Sequence, residues 1–500
     1  LKGKQNHIKL IFGLKLKQLR QDKQLSLSEL AEKTNLSISY LNEIENGKKY
    51  PKAEKIASIV DVLGVSYDEL VSLKLTKNLA PIGELLESNL LEQLPLDHYG
   101  IDIHKIIAQM SKAPFQLTAL VSTMIEMSRS SELSQNTFSR TALRTFREFH
   151  DNYFPNIEES VEKFTAENKI DTTKPLSYNT VLSILVKKYN YDLNESFLND
   201  YDELNELRAV VIPGKKNTLI LNSKLSQPQK FFITAKELGY NFLNIKKRSF
   251  IHSSIKLETF DHLMNNFWAS YFATALILNK ALFIREVELF FRSEKWDEKN
   301  LFTLFDKFHT TPEMFFQRLT SLSSKYLGLN KFFFLRFSSV LGSDNYYLSK
   351  ELSLNIRRNP GGYQTTEHYC RRWISIQTLK KLGEEFAINN DLTHRASGIL
   401  RAKFFESDDE FLSISVAQPN RLTLNELSSV TIGFQVNNLL KEKIKFCDDP
   451  NIPYRIVNDT CEMCRILDCQ ERTAQPISLQ KAERIKRMEN SLIEIKKRFS

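Results

Sequence analysis

Between Ile11 and Leu73 the apolar residues recur at helical spacing in short blocks, each divided from the next by a polar turn. That pattern predicts a compact bundle of about five short helices. Its helix ends are written locally. Ser26 followed by Glu29 predicts a capping box, in which the hydroxyl accepts from the amide three residues on and the carboxylate accepts from the cap's own amide. Ser66 and Glu69 repeat the box, and Gly47, just after Ile44, stands where a left-handed residue closes a helix. Between the two central helices lies Thr34-Asn35-Leu36-Ser37. Asn35 tolerates positive φ and Ser37 can cap the second of them, so two helices meet at a short angled turn.

Farther along, residues 72 to 165 read as helices through Ile103, Ile106, Ile107 and Met110, then Leu117 to Met127, then Leu143, Phe146 and Phe149. They carry no evident chemistry, and a connecting, dimer-forming role is expected. From Leu182 the pattern is mixed: the strand-like runs Val210-Val211-Ile212 and Thr218-Leu219-Ile220-Leu221 precede a helix containing Phe231 to Leu243. At the far end Ile485, Met488, Leu492, Ile495 and Phe499 alternate spacings of three and four, with Lys and Arg on the other faces. This basic amphipathic helix is expected to dock on the protein's own surface, a dimer seam being the alternative.

A chain of 500 residues exceeds one hydrophobic core and implies about three domains or more. The formal charge of +9 suits a polyanionic partner, because each phosphate neutralised by Lys or Arg releases condensed counterion. The absence of a long apolar stretch or a signal-peptide core leads us to expect a cytoplasmic protein with no membrane partner. Five cysteines are too few for a secreted disulfide scaffold. Cys461, Cys464 and Cys469 have the C-x2-C-x4-C spacing that lets three thiolates converge, and Cys370 can supply a fourth. Zinc and an iron-sulfur cluster both fit that donor set, and a disulfide is the third reading; Cys447 reads as a small buried residue.

Leu30-Ala31, Leu36-Ser37, Ile44-Glu45-Asn46-Gly47-Lys48, Pro51 and Leu63-Gly64-Val65 together resemble the helix-turn-helix domains of phage repressors and xenobiotic-response regulators. Leu27 stands where that family often has Gln. The resemblance implies a recognition helix from about Ile38 to Asn46, with Leu41 and Ile44 turned inward. Ile38, Ser39, Tyr40, Asn42 and Asn46 would then meet base edges, while Lys48, Lys49 and Lys52 hold phosphates of a double-stranded operator. Such domains usually act as homodimers.

The run Phe232-Ile233-Thr234-Ala235-Lys236-Glu237-Leu238-Gly239-Tyr240 resembles the active-site helix of ImmA/IrrE-type metallopeptidases, with Lys236 and Tyr240 where H-E-x-x-H has zinc-binding His. The third ligand, an acid before Ala269-Ser270-Tyr271-Phe272-Ala273, is missing as well. The expectation is a peptidase-like fold without its metal or its catalysis. Phe332-Phe333-Phe334-Leu335-Arg336, Cys370-Arg371-Arg372-Trp373 and the cysteine cluster extend the likeness to the short-chain fatty acyl transcriptional regulators. This resemblance implies an acyl-CoA effector and tilts the cysteine centre toward a four-iron cluster (4Fe-4S) over zinc. A CoA ligand needs cations and an aromatic slot. Arg208, Lys236, Arg336, Arg371 and Arg372 are the candidate cations, and Tyr240, Trp268 and Tyr271 the candidate slot. The expected fold is mainly α, a multidomain α+β chain: a helix-turn-helix bundle over 1–75, a helical connector over 76–170, a degenerate zincin-like domain over 171–345 and a cysteine-bearing α+β domain over 346–500.

Overall fold

The computed structural model describes residues 2–72, 135–247, 260–356, 368–405, 407–423 and 425–499, which belong to two compact units divided between Phe146 and Arg147. In the first, α1 (Lys2–Asp22), α2 (Leu27–Thr34), α3 (Ile38–Glu45), α4 (Ala53–Leu63) and α5 (Tyr67–Val71) form the expected bundle, although α1 begins well before Ile11. Its core joins Phe12 and Leu16 to Leu30, Leu41, Ile44, Ile56, Ile59, Leu63 and Leu70. The Ser26–Glu29 box is complete: Glu29 N donates to Ser26 Oγ at 3.2 Å and Ser26 N donates to Glu29 Oε2 at 2.7 Å. Asn35 takes φ of 52° and Ser37 Oγ accepts from Tyr40 N, so the angled turn is built as its residues predict. The second box forms only by half. Ser66 Oγ accepts from Glu69 N, while the Glu69 carbonyl accepts from Lys15 Nζ at 2.8 Å.

Two glycines set how closely α1 approaches α3. A Cβ on Gly13 would lie 2.2 Å from the Ile44 carbonyl oxygen, and one on Gly47, at φ of 69°, would lie 2.8 Å from Leu10 Cδ1. Beside this contact Arg20 grips Glu45 through two bonds of 2.6 and 2.9 Å and donates its remaining nitrogen to the Leu25 carbonyl at 2.7 Å. One buried, bidentate ion pair thereby fixes the end of α3 against α1.

α6 (Gln135–Phe149) runs across the boundary, and the second unit opens with α7 (Pro155–Glu167) and α8 (Tyr178–Tyr189). Strands β1 (Tyr191–Asn194), β2 (Ala209–Ile212) and β3 (Asn217–Leu221) form a small sheet in the order β1-β3-β2. It leads into α9 (Gln227–Phe242), followed by α10 (Phe260–Ile277), α11 (Lys280–Phe291), α12 (Glu298–Lys307) and α13 (Pro312–Leu322). The second sheet comprises β4 (Phe332–Val340), β5 (Tyr347–Leu354), β6 (Ala396–Phe404), β7 (Glu410–Pro419), β8 (Glu426–Gln435) and β9 (Tyr454–Val457), in the order β5-β4-β8-β7-β6-β9. β9 joins β6 in parallel and the other pairings are antiparallel. Across one face lies α14 (Ile374–Asn389), whose Ile376, Leu379, Leu382 and Phe386 share a core with Trp373, Phe333, Leu400 and Phe411.

The mainly helical, multidomain α+β architecture is therefore as expected, but its internal boundaries differ. A break at 345 would part β4 from β5, which pair along their length. Nor is the expected connector one piece: residues 73–134, with the apolar positions Ile103 to Met127, lie outside the described residues, whereas α7 belongs to the second unit's core. Phe164 meets Phe242 and Phe272 edge-on at 5.1 and 5.5 Å. The terminal helix, α15 (Ile477–Phe499), was expected to dock on the protein itself; every side chain described from Gln480 to Ile495 is instead exposed. No single described helix is long and apolar enough to cross a membrane.

Deep in this unit Arg318, 1% exposed, donates to both oxygens of Glu158 at 2.5 and 3.0 Å and to the Leu278 carbonyl at 3.0 Å; Tyr271 Oη donates to the same carboxylate at 2.9 Å. Three segments distant in sequence meet there. Glu158→Gln should leave the guanidinium uncompensated and cost about 3–5 kcal/mol, read as a lowered denaturation midpoint. An unchanged midpoint would show that the pair contributes nothing net.

Candidate functional site

On α3 the helical phase buries Leu41 and Ile44 and leaves Ile38, Ser39 and Asn42 exposed, with Lys48 and Lys52 exposed beyond its end. Asn46 is the C-cap rather than a helical residue, and its Nδ2 donates to Asn42 O at 2.8 Å and Asn42 Oδ1 at 2.9 Å. It thus orients the Asn42 amide, which keeps its own Nδ2 and a second Oδ1 lone pair for a ligand. Tyr40 departs from its expected role. Half-buried against the bundle core with Lys55 Nζ 4.3 Å from its ring centroid, it is a packing residue. Lys49 is paired with Glu43 at 2.6 Å, an exposed contact that costs little to exchange for a phosphate. What remains on the face is a short strip of amide, hydroxyl and methyl groups bordered by lysines, the composition that reads base edges while holding a backbone.

The second candidate gathers on α9. Lys236 and Tyr240, one turn apart and both buried, each donate to Asn266 Oδ1, Tyr240 at 3.3 Å. Glu237, the glutamate retained from the peptidase pattern, accepts from Tyr191 Oη at 3.3 Å and is 1% exposed. It therefore sits in an internal bond rather than facing an open cleft. Burial pulls the Lys236 ammonium down to about 8 against the attraction of Glu237, with Arg208 and Lys350 lowering it further. The same cations face Glu313 at the start of α13. Lys350 Nζ lies 2.6 Å and Arg336 Nε 3.4 Å from its carboxylate. Burial pushes that carboxyl up, but Lys350, Arg336 and Arg208 outweigh it and hold it down to about 2. Arg208, Arg336 and Lys350 thus act together on the Glu313 carboxylate, and Arg208 and Lys350 also act on Lys236, which Glu237 attracts.

The other ligand candidates are elsewhere. Tyr271 is committed to Glu158, so it is not free to line a slot. Trp268 is half-buried, edge-on to Phe154 at 4.9 Å. Arg371 bonds the Tyr369 carbonyl and Asp344 and lies over Tyr346, while Arg372 bonds the Ile456 carbonyl at 3.3 Å and reaches Glu471 at 3.7 Å. Arg371 is thus held between Tyr369 and the β4–β5 connection, and Arg372 against β9 and Glu471. This corrects their grouping with Arg208, Lys236 and Arg336: adjacency to Cys370 in sequence placed them at a different site.

That loop brings three of the four expected cysteines near one another. The backbone N–H of Cys370 donates to Asp459 O at 3.1 Å, Cys461 N donates to His368 O at 2.7 Å, and Tyr369 forms a bridge with Thr460. Burial pushes the Cys370 thiol up to about 11, with Cys461 and Cys464 adding to the shift. Arg472 donates to the carbonyls of Cys461, Cys464 and Ile466 at 2.8, 3.2 and 2.5 Å, binding the loop from within. Cys469 is half-buried in the same loop. Among the described residues no three His, Cys, Asp or Glu side chains stand in ligating positions. Ionising Cys370 at this depth is costly, and a bound cation would offset that cost.

Lys350, Glu313, Asn266 and Arg472 were missed by sequence reasoning. Lys350 shares no motif with Lys236 and meets it only because β5 pairs with β4. Arg472 lies within the cysteine motif but cannot be told in sequence from the solvated Lys and Arg beyond it.

A helix-turn-helix family model matches residues 16–70. The HTH-type transcriptional regulator RamB of Mycobacterium tuberculosis is 26% identical over 252 residues, covering 46% of this chain and 49% of that protein. The control protein C.MunI of a Mycoplasma species is 40% identical over 68 residues, 13% of this chain and 92% of its own length. The immunity repressor of Bacillus phage phi105 is 34% identical over 59 residues, 12% of this chain and 41% of its own. The chain spans about half the length of the RamB relatives it matches.

Because the folded-state carboxyl of Glu313 titrates near 2 rather than 4.5, it contributes stability above about pH 4.5 that is lost as pH falls toward 2. Glu313→Gln should lower stability at neutral pH by about 1–3 kcal/mol and shrink that acid-dependent loss. Added sulfate should stabilise the variant more than the parent. Equal responses to sulfate would contradict the cationic grouping.

Proposed function

Since the chain belongs through residues 16–70 to the helix-turn-helix family, we propose that it is a dimeric, sequence-specific DNA-binding transcriptional regulator whose second unit senses a short-chain acyl-CoA. Reading of the operator falls to Ile38, Ser39 and Asn42, with Asn46 orienting Asn42 and Lys48, Lys49 and Lys52 on phosphates. Asn42 offers adenine the bidentate donor–acceptor pair, and Ile38 offers a thymine methyl an apolar contact. Replacement of Asn42 by Ala should weaken specific binding by about 1–3 kcal/mol while leaving the salt dependence unchanged; Lys48→Ala should reduce the salt slope by about one. Fluorescence anisotropy against selected operator duplexes over a salt series separates the two.

The observation that supports the effector half is the grouping of cations, Arg208, Arg336 and Lys350 about Glu313, with Arg208 and Lys350 also acting on Lys236 beside Glu237. Phosphate groups of a CoA would displace Glu313 from Lys350 and Arg336. No peptidase activity is assigned, because Lys236 and Tyr240 occupy the zinc-ligand positions. Cys370, Cys461, Cys464 and Cys469 would hold a four-iron cluster, or zinc as the alternative, which when bound supplies a redox-labile or structural clasp to this unit. Arg472 holds the loop carbonyls in place for it.

A thermal-shift series with acetyl-, propionyl- and butyryl-CoA against free CoA tests the effector, since a ligand at a hundred times its Kd stabilises the native state by about 2.7 kcal/mol. An acyl-dependent rise is expected, with affinity falling as pH rises through about 8 and Lys236 loses its proton. In Lys236→Arg the fall should vanish. Absence of any shift would remove acyl-CoA as the effector and leave the DNA-binding reading standing.

A further inference from the structure

The exposed stripe of α15 is the least compensated feature of the described surface. Ile485, Met488, Leu492, Ile493 and Ile495 are each more than half exposed. A helix of 23 residues whose described side chains pack against nothing is marginal in water, because in proteins helical stability comes mostly from burial of the apolar stripe. Ile485, Met488, Leu492, Ile495 and Phe499 follow the 3-4-3-4 rhythm of heptad positions a and d, and the shallow groove on this side is lined by Arg484, Arg487, Met488, Ser491, Leu492 and Ile495.

The flanking charges say what fits. With Ile485 at position a, Arg484, Ser491 and Arg498 occupy g, and Glu489 and Lys496 occupy e. In a parallel, in-register pair each g faces the e of the following heptad in the other helix. Arg484 then meets Glu489 of a second copy and Ser491 meets Lys496, giving one attraction per side and no like-charge contact. In the antiparallel pairing that matches Ile485 with Ile495 and Met488 with Leu492, Arg484 meets Arg498 and Glu489 meets its own copy, both repulsive.

We propose that α15 pairs with α15 of a second copy of this chain as a short parallel coiled coil, with Ile485, Met488, Leu492, Ile495 and Phe499 as its seam. Just over two heptads make a weak joint by themselves. Joined to a second contact between the same two chains, such as half-sites on one operator, the joint acts intramolecularly and its contribution is multiplied by effective concentration. The inference deepens the dimeric reading above and fails separately from it.

The test uses the full chain in analytical ultracentrifugation without DNA. The parent should self-associate, Leu492→Glu should weaken association at least about tenfold, and Glu489→Arg should weaken it in part. The double variant Arg484→Glu/Glu489→Arg should restore it, because the swap rebuilds the g–e pair. Leu492→Cys should give a covalent dimer on mild oxidation where the parent gives none, as only a parallel, in-register pair brings the two thiols together. Circular dichroism melting of each variant checks that the rest of the protein is intact, as the exposure of these side chains predicts. A monomeric parent would overturn the seam, as would parent-like association of Leu492→Glu or failure of the charge swap. So would loss of binding to random duplex or anionic vesicles in Leu492→Glu with association unchanged, which would make α15 a polyanion-binding helix. Operator binding that persists in a monomeric parent would leave the DNA-reading proposal untouched.

Discussion

The constraint on which this structure depends is that a desolvated charge must be paired. Taking an ion out of water costs several kcal/mol unless a partner and further hydrogen bonds replace the lost solvation. Each unit meets the cost with a buried pair. Arg20 and Glu45 do so between α1 and α3, where the pair also satisfies the Leu25 carbonyl. Arg318 and Glu158 do so in the larger unit, with Tyr271 and the Leu278 carbonyl completing the shell. Once these pairs form, the helices carrying them have little freedom of rotation or slide, because any movement exposes a bare charge to an apolar neighbour.

Against that rule the region around Glu313 stands out: Arg208, Arg336 and Lys350 gather on one carboxylate, and Arg208 and Lys350 also help to pull Lys236 down to about 8. Proteins tolerate such imbalance where function requires it. The helix that bears Lys236 resembles in sequence the active-site helix of zinc peptidases, with an ammonium and a phenol at the positions of two neutral ligands.

Much of the first unit was legible in sequence because its determinants are local. Ser26 and Glu29, Asn35, Ser37 and Gly47 each act within one turn of the chain, and each does what its chemistry dictates. The same locality explains the misses. Glu69 looks like half of a box from its neighbours alone, yet only the Ser66 half forms. Tyr271 looks like part of a ligand slot from its motif, although the carboxylate that claims it is 113 residues away. Arg371 and Arg372 illustrate the converse, since adjacency to a cysteine motif says which loop they join but not which ligand they serve. The domain boundary expected at 345 failed for a related reason: strand pairing between β4 and β5 is a long-range fact about register, and polar residues at a hairpin turn look the same as those at a linker.

The glycine contacts under α3 have a consequence for how this protein can change over generations. Gly13 and Gly47 leave no room for any side chain, and Leu41 and Ile44 are shut in the core, so the scaffold of the reading helix is closed to drift. Ile38 and Ser39 carry no such burden. Their side chains face outward and can be exchanged with little effect on the bundle beneath. On the proposed reading, in which Ile38 and Ser39 meet base edges, substitutions at these two positions would change binding preference and leave the bundle intact.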